Sequence, residues 1–198
     1  LHVRSRRQRQ MCIRDRSARW LAIAGICVAL PALAVTALKT DAAKSNVTIT
    51  FKQLNVPVDA KFKKFNAQIS YDSAKPETSK ANVDIDVNSF DLGDPEYNRE
   101  VLKKEWFNAA QFPKASFVSS QIKPGAAGKL DVSGKLTIKG KTTDVSFPLT
   151  VKKDGANQVF EGVLPIKRLT YSIGEGEWKD TSMVADEVTI KFRVVTTQ

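Results

Sequence analysis

The stretch GKLDVSGKLTIKGKTTDVSFPLTVKK, residues 128–153, decides the fold of this chain. Apolar residues alternate with polar ones along both of its halves, first from Leu130 to Ile138 and then up to Val151. A period of two residues is typical of a β-strand with one dry face and one wet face. Gly140 lies between the halves, where a tight reversal can require a positive φ angle. The stretch therefore predicts an antiparallel hairpin with one apolar face.

The same alternation recurs along the chain and predicts eight strands in total. Besides the two of the hairpin, they lie at residues 45–54, 61–72, 80–90, 114–123, 158–168 and 186–197. Phe62 is out of phase with Phe65, which predicts a bulge near Lys63 and Lys64. Eight alternating strands with short connections can close into a barrel that is filled by side chains or holds one small ligand. A sandwich of two sheets is the alternative that the pattern leaves open.

One segment breaks the alternation. Asp94 and Pro95 have the residue types of an N-cap and of the first helical position. Leu102 and Trp106 follow with the i, i+4 spacing of neighbours on one helix face. The sequence therefore predicts a single inserted α-helix over residues 95–108.

The net charge of +10 comes largely from the first part of the chain. Residues 1–37 contain seven of the 31 basic residues and one of the 21 acidic residues, so the net charge of the rest is +4. A strongly basic chain would suggest a partner such as nucleic acid or an anionic membrane surface. Because the main part is only mildly basic, we expect no nucleic-acid partner.

Residues 18–37 are predicted to be a signal peptide, because a basic flank precedes an apolar run that ends in small residues. We expect cleavage near Ala34 or Ala37. A retained transmembrane helix is the alternative, since the apolar run is just long enough to span a bilayer. Residues 1–17 are Arg-rich and without pattern, and we expect them to be a non-native extension.

The expected mature part, residues 38–198, is a single domain with an unusual composition. Both cysteines of the chain, Cys12 and Cys27, and its single histidine, His2, precede this part. The composition excludes cysteine nucleophiles, histidine general bases, Ser-His-Asp triads and Cys/His zinc sites within the domain. We therefore expect a binding protein rather than an enzyme, with no metal site.

Five sequence blocks, taken in order, resemble the YceI family of periplasmic lipid-binding proteins. They are SNVTITFKQLNV (45–56), VDIDVNSFDLG (83–93), NREVLKKEWFNAAQFPKASFVS (98–119), VSGKLTIKGKTTDVSFPLTV (132–151) and KRLTYSIGEGEWKDTSMVADEVTIKF (167–192). The closing block, with its GEGEW segment, is similar to that of one subgroup. Many members have a histidine before the leucine of the helix block, where this chain has Val101 before Leu102. A role of that histidine is therefore not transferred.

The resemblance implies an all-β fold, namely an eight-stranded antiparallel lipocalin-like β-barrel with one inserted α-helix. It also implies a periplasmic, secreted carrier that holds a long-chain isoprenoid or similar amphipathic lipid, quinone-like or polyprenyl, in the barrel lumen. We expect no cofactor other than this lipid ligand. An accessory module with transient contact to a membrane or a membrane redox protein is an alternative. The sequence leaves the oligomeric state, the chain length and the head group of the lipid open.

A further alternative is an enzyme that uses carboxylates. Glu175, Glu177 and Asp180 lie close together in the long loop after the seventh predicted strand. A pair of carboxyl groups can do acid and base chemistry, as in glycosidases. A flexible loop is, however, a poor place to raise the pKa of a carboxyl group, since this requires burial.

The inward-facing apolar positions are the candidate ligand-binding residues of the lumen. They are Phe51, Ile69, Val83, Ile85, Phe117, Leu136, Ile138, Phe147, Leu149, Leu164, Ile166, Val188, Ile190 and Phe192, together with Trp178 of the glycine-rich loop as a residue of the lumen mouth. From the pattern alone, an ordinary packed core is favoured for any one of them. Only the resemblance favours a lumen for the set.

Two smaller groups complete the candidate site. Trp106, Phe107 and Phe112 are candidates for closing one end of the barrel, and packing on the outside of the barrel is the alternative. Arg99 and Arg168 are candidate contacts to an anionic head group, because guanidinium groups bind such groups strongly. The alternative for both arginines is a solvated surface charge.

Overall fold

The computed structural model describes residues 37–197, and the predicted extension and residues 18–36 of the predicted signal peptide lie outside this range. The described part contains eleven strands and one α-helix. They are β1 (Ala37–Thr40), β2 (Asn46–Gln53), β3 (Val56–Phe62), β4 (Phe65–Ser70), β5 (Lys80–Asp86), β6 (Phe90–Asp91), α1 (Pro95–Glu100), β7 (Lys114–Pro124), β8 (Leu130–Ile138), β9 (Lys141–Asp154), β10 (Asn157–Lys167) and β11 (Val184–Thr197).

The strands form one antiparallel sheet that closes on itself. Hydrogen-bonded neighbours follow the order β4–β5–β7–β8–β9–β10–β11–β2–β3. Because β3 continues into β4, these two count as one strand and the ring has eight members. β1 pairs with both β4 and β11, while β6 pairs with two residues of β3. The predicted all-β, eight-stranded antiparallel barrel is confirmed.

A short irregularity joins β3 and β4 at the place where the sequence predicts a bulge. The amide of Lys63 donates to the carbonyl oxygen of Ser89 at 3.0 Å. The amide of Lys64 donates to the hydroxyl oxygen of Ser89, also at 3.0 Å. The buried Ser89 thus satisfies the backbone groups that leave the strand ladder. The predicted irregularity is present at these two lysines, but it takes the form of a break between β3 and β4 rather than of an extra residue in a paired strand.

The pattern of alternation missed part of β3. Residues 56–60 belong to β3, whereas the sequence predicts a strand only from residue 61 onward. Pro57 in this segment usually counts against a strand, because proline cannot donate a ladder hydrogen bond. Within the described range, these residues pair with β2 and with no second strand, so their other side is an edge. A proline is tolerated on such an edge.

The inserted helix is shorter than predicted. The N-cap is confirmed, since the Asp94 carboxylate accepts hydrogen bonds from the amides of Glu96 and Tyr97 at 2.7 and 3.3 Å. The prediction of a helix over residues 95–108 is wrong beyond Glu100, where α1 ends. In residues 37–197, no helix has the length and apolar character needed to cross a bilayer.

The chain after α1 folds into turns because two adjacent aromatic residues both face the barrel. Trp106 and Phe107 both contact the apolar interior, whereas adjacent side chains on a helix point about 100° apart. The amide of Phe107 donates to the carbonyl of Val101 at 3.0 Å, and that of Ala109 donates to the carbonyl of Leu102 at 3.0 Å. Tertiary packing has therefore replaced the helical pattern of hydrogen bonds.

The hairpin that decides the fold has the predicted geometry. In β8, the residues at alternate positions from Leu130 to Ile138 are buried. Ile138 pairs with Lys141, so Lys139 and Gly140 form a two-residue turn in which both φ angles are positive, at 47° and 72°. This is the turn type whose twist matches that of the flanking strands.

The turn between β2 and β3 has the same form but an unusual residue. Leu54 and Asn55 connect the paired residues Gln53 and Val56, with φ angles of 50° and 65°. Asparagine and glycine suit such a turn, while leucine is strained there. The side chain of Leu54 is also 61% exposed, so burial does not offset this strain.

We predict that Leu54→Asn raises the free energy of unfolding by about 1 kcal/mol, because it relieves left-handed strain. Urea unfolding followed by circular dichroism measures the change. The control is Leu54→Ala, which removes the exposed apolar surface but keeps a residue that disfavours positive φ. If both variants raise the free energy of unfolding equally, the exposed apolar surface of Leu54, and not its backbone strain, destabilises the fold.

Candidate ligand-binding lumen

The barrel contains two adjoining apolar cavities. The strand-end cavity is bordered by Tyr71, Leu130 and Phe160 and has a volume of about 110 Å³. The helix-end cavity is bordered by Tyr97 of α1 and by Trp106 and has a volume of about 170 Å³. One water molecule needs about 10–15 Å³ of such cavity volume. The interior therefore has more free space than an ordinary core, where voids larger than a water molecule are few.

A ring of shared residues joins the two cavities. Both are lined by Val47, Val83, Ile85, Phe117, Leu136 and Ile190, which come from five different strands around the barrel. The cavities thus meet at the middle of the barrel. We treat them as two sections of one lumen, with the ring between them.

Every predicted lumen residue lines at least one of the cavities. Of the predicted set, Ile69, Phe147, Leu149, Leu164 and Phe192 line the strand-end cavity. Phe51, Ile138, Ile166, Trp178 and Val188 line the helix-end cavity. Val83, Ile85, Phe117, Leu136 and Ile190 line both. Their contact with a bound ligand stays a prediction.

The structure adds lining residues that the sequence did not single out. They include Tyr71, Phe90, Leu92, Tyr97 and Ile173. In the structure Tyr71, Leu92 and Ile173 lie outside the strands, Tyr97 lies in α1, and Phe90 lies in the two-residue strand β6. Tyr97 is 53% exposed, so it lies where the helix-end cavity meets the surface.

Two glycines shape the aromatic wall of the strand-end cavity. A Cβ atom on Gly162 would lie 2.3 Å from the ring of Phe192, and one on Gly134 would lie 2.7 Å from the ring of Phe117. The rings occupy the space that side chains at these inward positions would fill. Phe147 packs against both rings, with centroid distances of 5.5 Å to each. The result is a continuous aromatic surface facing the lumen.

Two of the three residues predicted to close a barrel end are at the helix-end cavity. Trp106 and Phe107 line it, and the Trp106 ring packs against Trp178 with a centroid distance of 5.2 Å. Phe112 lines neither cavity. It packs at the β8–β9 turn, where a Cβ atom on Gly140 would lie 2.7 Å from its Cε1. The prediction for Phe112 is corrected, because its ring packs at this turn and not in the lining of either cavity.

Arg168 is a structural residue. Its side chain is only 2% exposed, and its five N–H groups are directed at backbone carbonyl oxygens. Nε donates to Ala185, Nη1 donates to Ile173 and Gly174, and Nη2 donates to Trp178 and Val184, at 2.7 to 3.4 Å. Burial lowers the pKa of Arg168, and nearby Asp186 opposes this shift.

These bonds change the interpretation of the two candidate arginines. With all its donors occupied, Arg168 has none left for an anionic head group. It instead ties the segment between β10 and β11, residues 168–183, to the start of β11; we call this segment the closing loop. Its guanidinium also lies 5.8 Å from the ring centre of Trp106. Arg99 is exposed on α1 and lines neither cavity. The sequence could not separate a buried from an exposed arginine.

A second polar cluster holds the closing loop from the other side. The ammonium of Lys139 donates to the carbonyls of Lys104 and Ser172 at 2.8 and 2.7 Å, and to the carboxylate of Glu175 at 2.9 Å. This lysine side chain is only 6% exposed. The hydrogen bond from Lys139 lowers the pKa of Glu175.

The loop carboxylates do not have the properties of a general acid. The pKa values of Glu175 and Asp180 are lowered, by Lys139 and by the amide of Ser182 respectively, whereas a general acid needs a raised pKa. Glu177 is exposed to solvent. Within residues 37–197, no group of three or more His, Cys, Asp or Glu side chains is placed to hold a metal ion.

Comparison with known proteins matches most of this chain to one family. The model of the YceI-like domain matches residues 38–196. A UPF0312 protein from Shewanella sp. (strain W3-18-1) is 30% identical over 148 residues, which make up 73% of this chain and 74% of the relative. A UPF0312 protein from Pseudomonas putida is 35% identical over 94 residues, or 48% of this chain and 49% of the relative. The matched part thus spans about half the length of the Pseudomonas relatives.

Solved structures share the barrel. The crystal structure of Burkholderia cenocepacia BcnA is 55% identical, with a TM-score of 0.79, and the match covers 80% of this chain and 100% of BcnA. A polyisoprenoid-binding domain from Saccharophagus degradans, implicated in plant cell wall breakdown, is 18% identical with a TM-score of 0.61. That match covers 81% of this chain and 97% of the domain. At such low identity, the second likeness shows a common fold alone.

We predict that Arg168→Met lowers the free energy of unfolding by about 3 kcal/mol or more, because it leaves several buried carbonyl groups without donors. Urea unfolding followed by tryptophan fluorescence measures the loss. Arg99→Met is the matched control, and as an exposed change it is expected to shift stability by less than about 0.5 kcal/mol. Similar stabilities for the two variants would contradict the structural role of Arg168.

Proposed function

Since the chain belongs to the YceI-like family, we propose that it binds an amphipathic isoprenoid lipid in the lumen of its barrel. The observation that carries the proposal is the pair of adjoining cavities with an apolar lining and free space inside a closed barrel. The polyisoprenoid-binding domain with the same fold supports the ligand class. An extended apolar chain is the shape that two cavities joined end to end accommodate.

The lining suits a ligand that is recognised by its shape. Burial of apolar surface contributes roughly 0.8 kcal/mol per methylene group, so a chain of repeated isoprene units gains affinity with each unit inside the lumen. The aromatic wall of Phe117, Phe147 and Phe192 offers flat surface to such a chain. Branched methyl groups and double bonds pack well against rings of this kind.

We further propose that the protein is a carrier and not an enzyme. The loop carboxylates have lowered pKa values or are exposed, and none of them lines a cavity. The bound lipid is the sole ligand that the proposal requires, with no separate cofactor. The signal peptide predicted over residues 18–37 supports a place of action in the periplasm, where the carrier would move a long-chain, quinone-like or polyprenyl lipid between membranes or partners.

The first test is to purify the protein, expressed as the full chain, without detergent and to record its mass under native conditions. We expect a discrete added mass that solvent extraction releases, with a fragmentation pattern of an isoprenoid lipid. The control is the same sample after extraction, to which isoprenoid lipids are offered again. A bare protein mass with no uptake of offered isoprenoids would overturn the proposed function.

A lumen-filling substitution tests the location of the lipid. Ile190 lies in the ring shared by both cavities, so Ile190→Trp is expected to weaken isoprenoid binding by about tenfold or more through loss of the space for the chain. Lys191→Trp places the same side chain on the exposed face of the same strand. Binding titrations should show less than about a twofold change for this control. Equal weakening by both variants would place the lipid outside the lumen.

A further inference from the structure

Three exposed apolar residues lie together at the helix end of the barrel. Leu54 in the β2–β3 turn and Val56 just after it are 61% and 60% exposed, and Met183 at the end of the closing loop is 44% exposed. The amide of Leu54 donates to the carbonyl oxygen of Met183 at 2.9 Å, which joins the turn to the loop. We call these three residues the rim patch. Large apolar residues that are exposed as a group mark an interaction surface, whereas singly exposed ones are ordinary.

The rim patch continues the apolar lining of the helix-end cavity. Gln53 and Val184 pair with each other and both line this cavity, and they are the chain neighbours of Leu54 and Met183. Val56 lies directly opposite Gln53 in the ladder and therefore on the same face of the sheet. The β2–β3 hairpin thus extends the inner apolar face of the barrel to the exposed rim beside the cavity.

Leu54 is an unfavourable residue for the free protein. Its φ angle of 50° lies in the left-handed region, and its exposed side chain gains nothing from burial. Strained residues persist where a function maintains them. A contact that covers the leucine side chain would explain why the turn has this residue.

The size of the rim patch favours a bilayer over a protein as the partner. A stable protein interface uses roughly 20–30 residues on each side, far more than the three exposed here. A few apolar side chains can instead enter the boundary between the head groups and the acyl chains of a bilayer. Such a contact needs no matching surface, and it is weak enough to be reversible.

The charge around the rim patch favours zwitterionic lipids. Residues 52–58 contain one basic residue, Lys52, and no acidic residue, so their net charge is +1. The closing loop contains two basic and three acidic residues, so its net charge is −1. The two segments that carry the patch therefore have no net charge together, whereas surfaces that bind anionic lipids are basic.

We propose that the rim patch docks the helix end of the barrel on a bilayer of zwitterionic phospholipids. Leu54, Val56 and Met183 enter the boundary of the bilayer, and the helix-end cavity beside them then faces the membrane. The isoprenoid passes between membrane and lumen at this end without crossing water. This inference rests on the proposed function and adds the surface through which the carrier exchanges its lipid.

The test measures sedimentation of the protein, expressed as the full chain, with phosphatidylcholine vesicles. Leu54→Asn is expected to weaken vesicle binding by about fivefold, since one leucine side chain no longer enters the bilayer. The same change is expected to stabilise the fold, so weaker binding cannot result from unfolding. Residues 1–37 are identical in all variants and do not contribute to the difference.

A matched pair of valines provides the control. Val56→Asp is expected to weaken vesicle binding by about tenfold or more, because a carboxylate enters the bilayer boundary only at a cost in desolvation. Val118 is 50% exposed in β7, away from the rim patch, so Val118→Asp should change binding by less than about twofold. Raising the salt concentration from about 0.05 to 0.5 M should also have less than about a twofold effect, since apolar contacts are not screened.

Transfer kinetics connect the rim patch to lipid exchange. The rate at which a C20 isoprenoid alcohol moves from vesicles to the protein is expected to rise in proportion to vesicle concentration and to fall about fivefold in Leu54→Asn. The affinity of this variant for the same alcohol offered in solution should change by less than about twofold, because Leu54 lines neither cavity.

Several results would overturn the docking surface. They are no binding to phosphatidylcholine vesicles, equal weakening by Val56→Asp and Val118→Asp, and binding that requires about 30% anionic phosphatidylglycerol and is lost at high salt. Self-association of the unmutated protein that Leu54→Asn abolishes would overturn it too, since a second copy would then cover the patch. If the vesicle results are as expected but no isoprenoid binds, the proposed function falls while the docking surface stands.

Discussion

Closure of the barrel through β11 is the constraint on which the rest of the structure depends. This strand pairs with the full length of β10 on one side, and with β2 and β1 on the other. Once the ring is closed, every strand has the same inside and outside, and the period-two pattern of each strand must match this division. The apolar faces then meet around one central space. A lumen follows where the side chains, such as Val83 and Ile190, are too small to fill it.

The helix end is organised differently, by buried polar groups. Arg168 and Lys139 each donate several hydrogen bonds to the carbonyl groups of irregular segments, which a loop in an apolar environment would otherwise leave unpaired. These hydrogen bonds hold the closing loop in place, although its secondary structure consists only of two short 3-10 helices. The loop places Trp178 beside Trp106. Apolar side chains line the lumen, and the hydrogen bonds of Arg168 and Lys139 fix the structure at its helix end.

An apolar lumen with polar groups at its helix end fits a binding protein whose ligand is long and mostly apolar. Along the lumen, affinity comes from the burial of the ligand's apolar surface, and each buried methylene group adds to the binding free energy. Selectivity between head groups then needs only a small number of polar atoms placed at one end, because an unsatisfied or mismatched polar group in an apolar cavity is costly. The absence of histidine and cysteine from residues 38–198 agrees with such a mode of recognition.

Alternating residues along the chain were enough to determine the all-β class, the central hairpin, the irregularity at Lys63 and the inward position of the predicted lumen residues that lie in strands, because side-chain direction in a strand depends only on local period. The family resemblance supplied the barrel and its ligand class. Only the tertiary structure decided what lies at the helix end, where Arg168 proved to be buried, Phe112 lay outside the lumen, and the helix ended at Glu100. These features depend on which carbonyl groups and rings meet across the closed barrel, and no local pattern in the sequence records such long-range contacts.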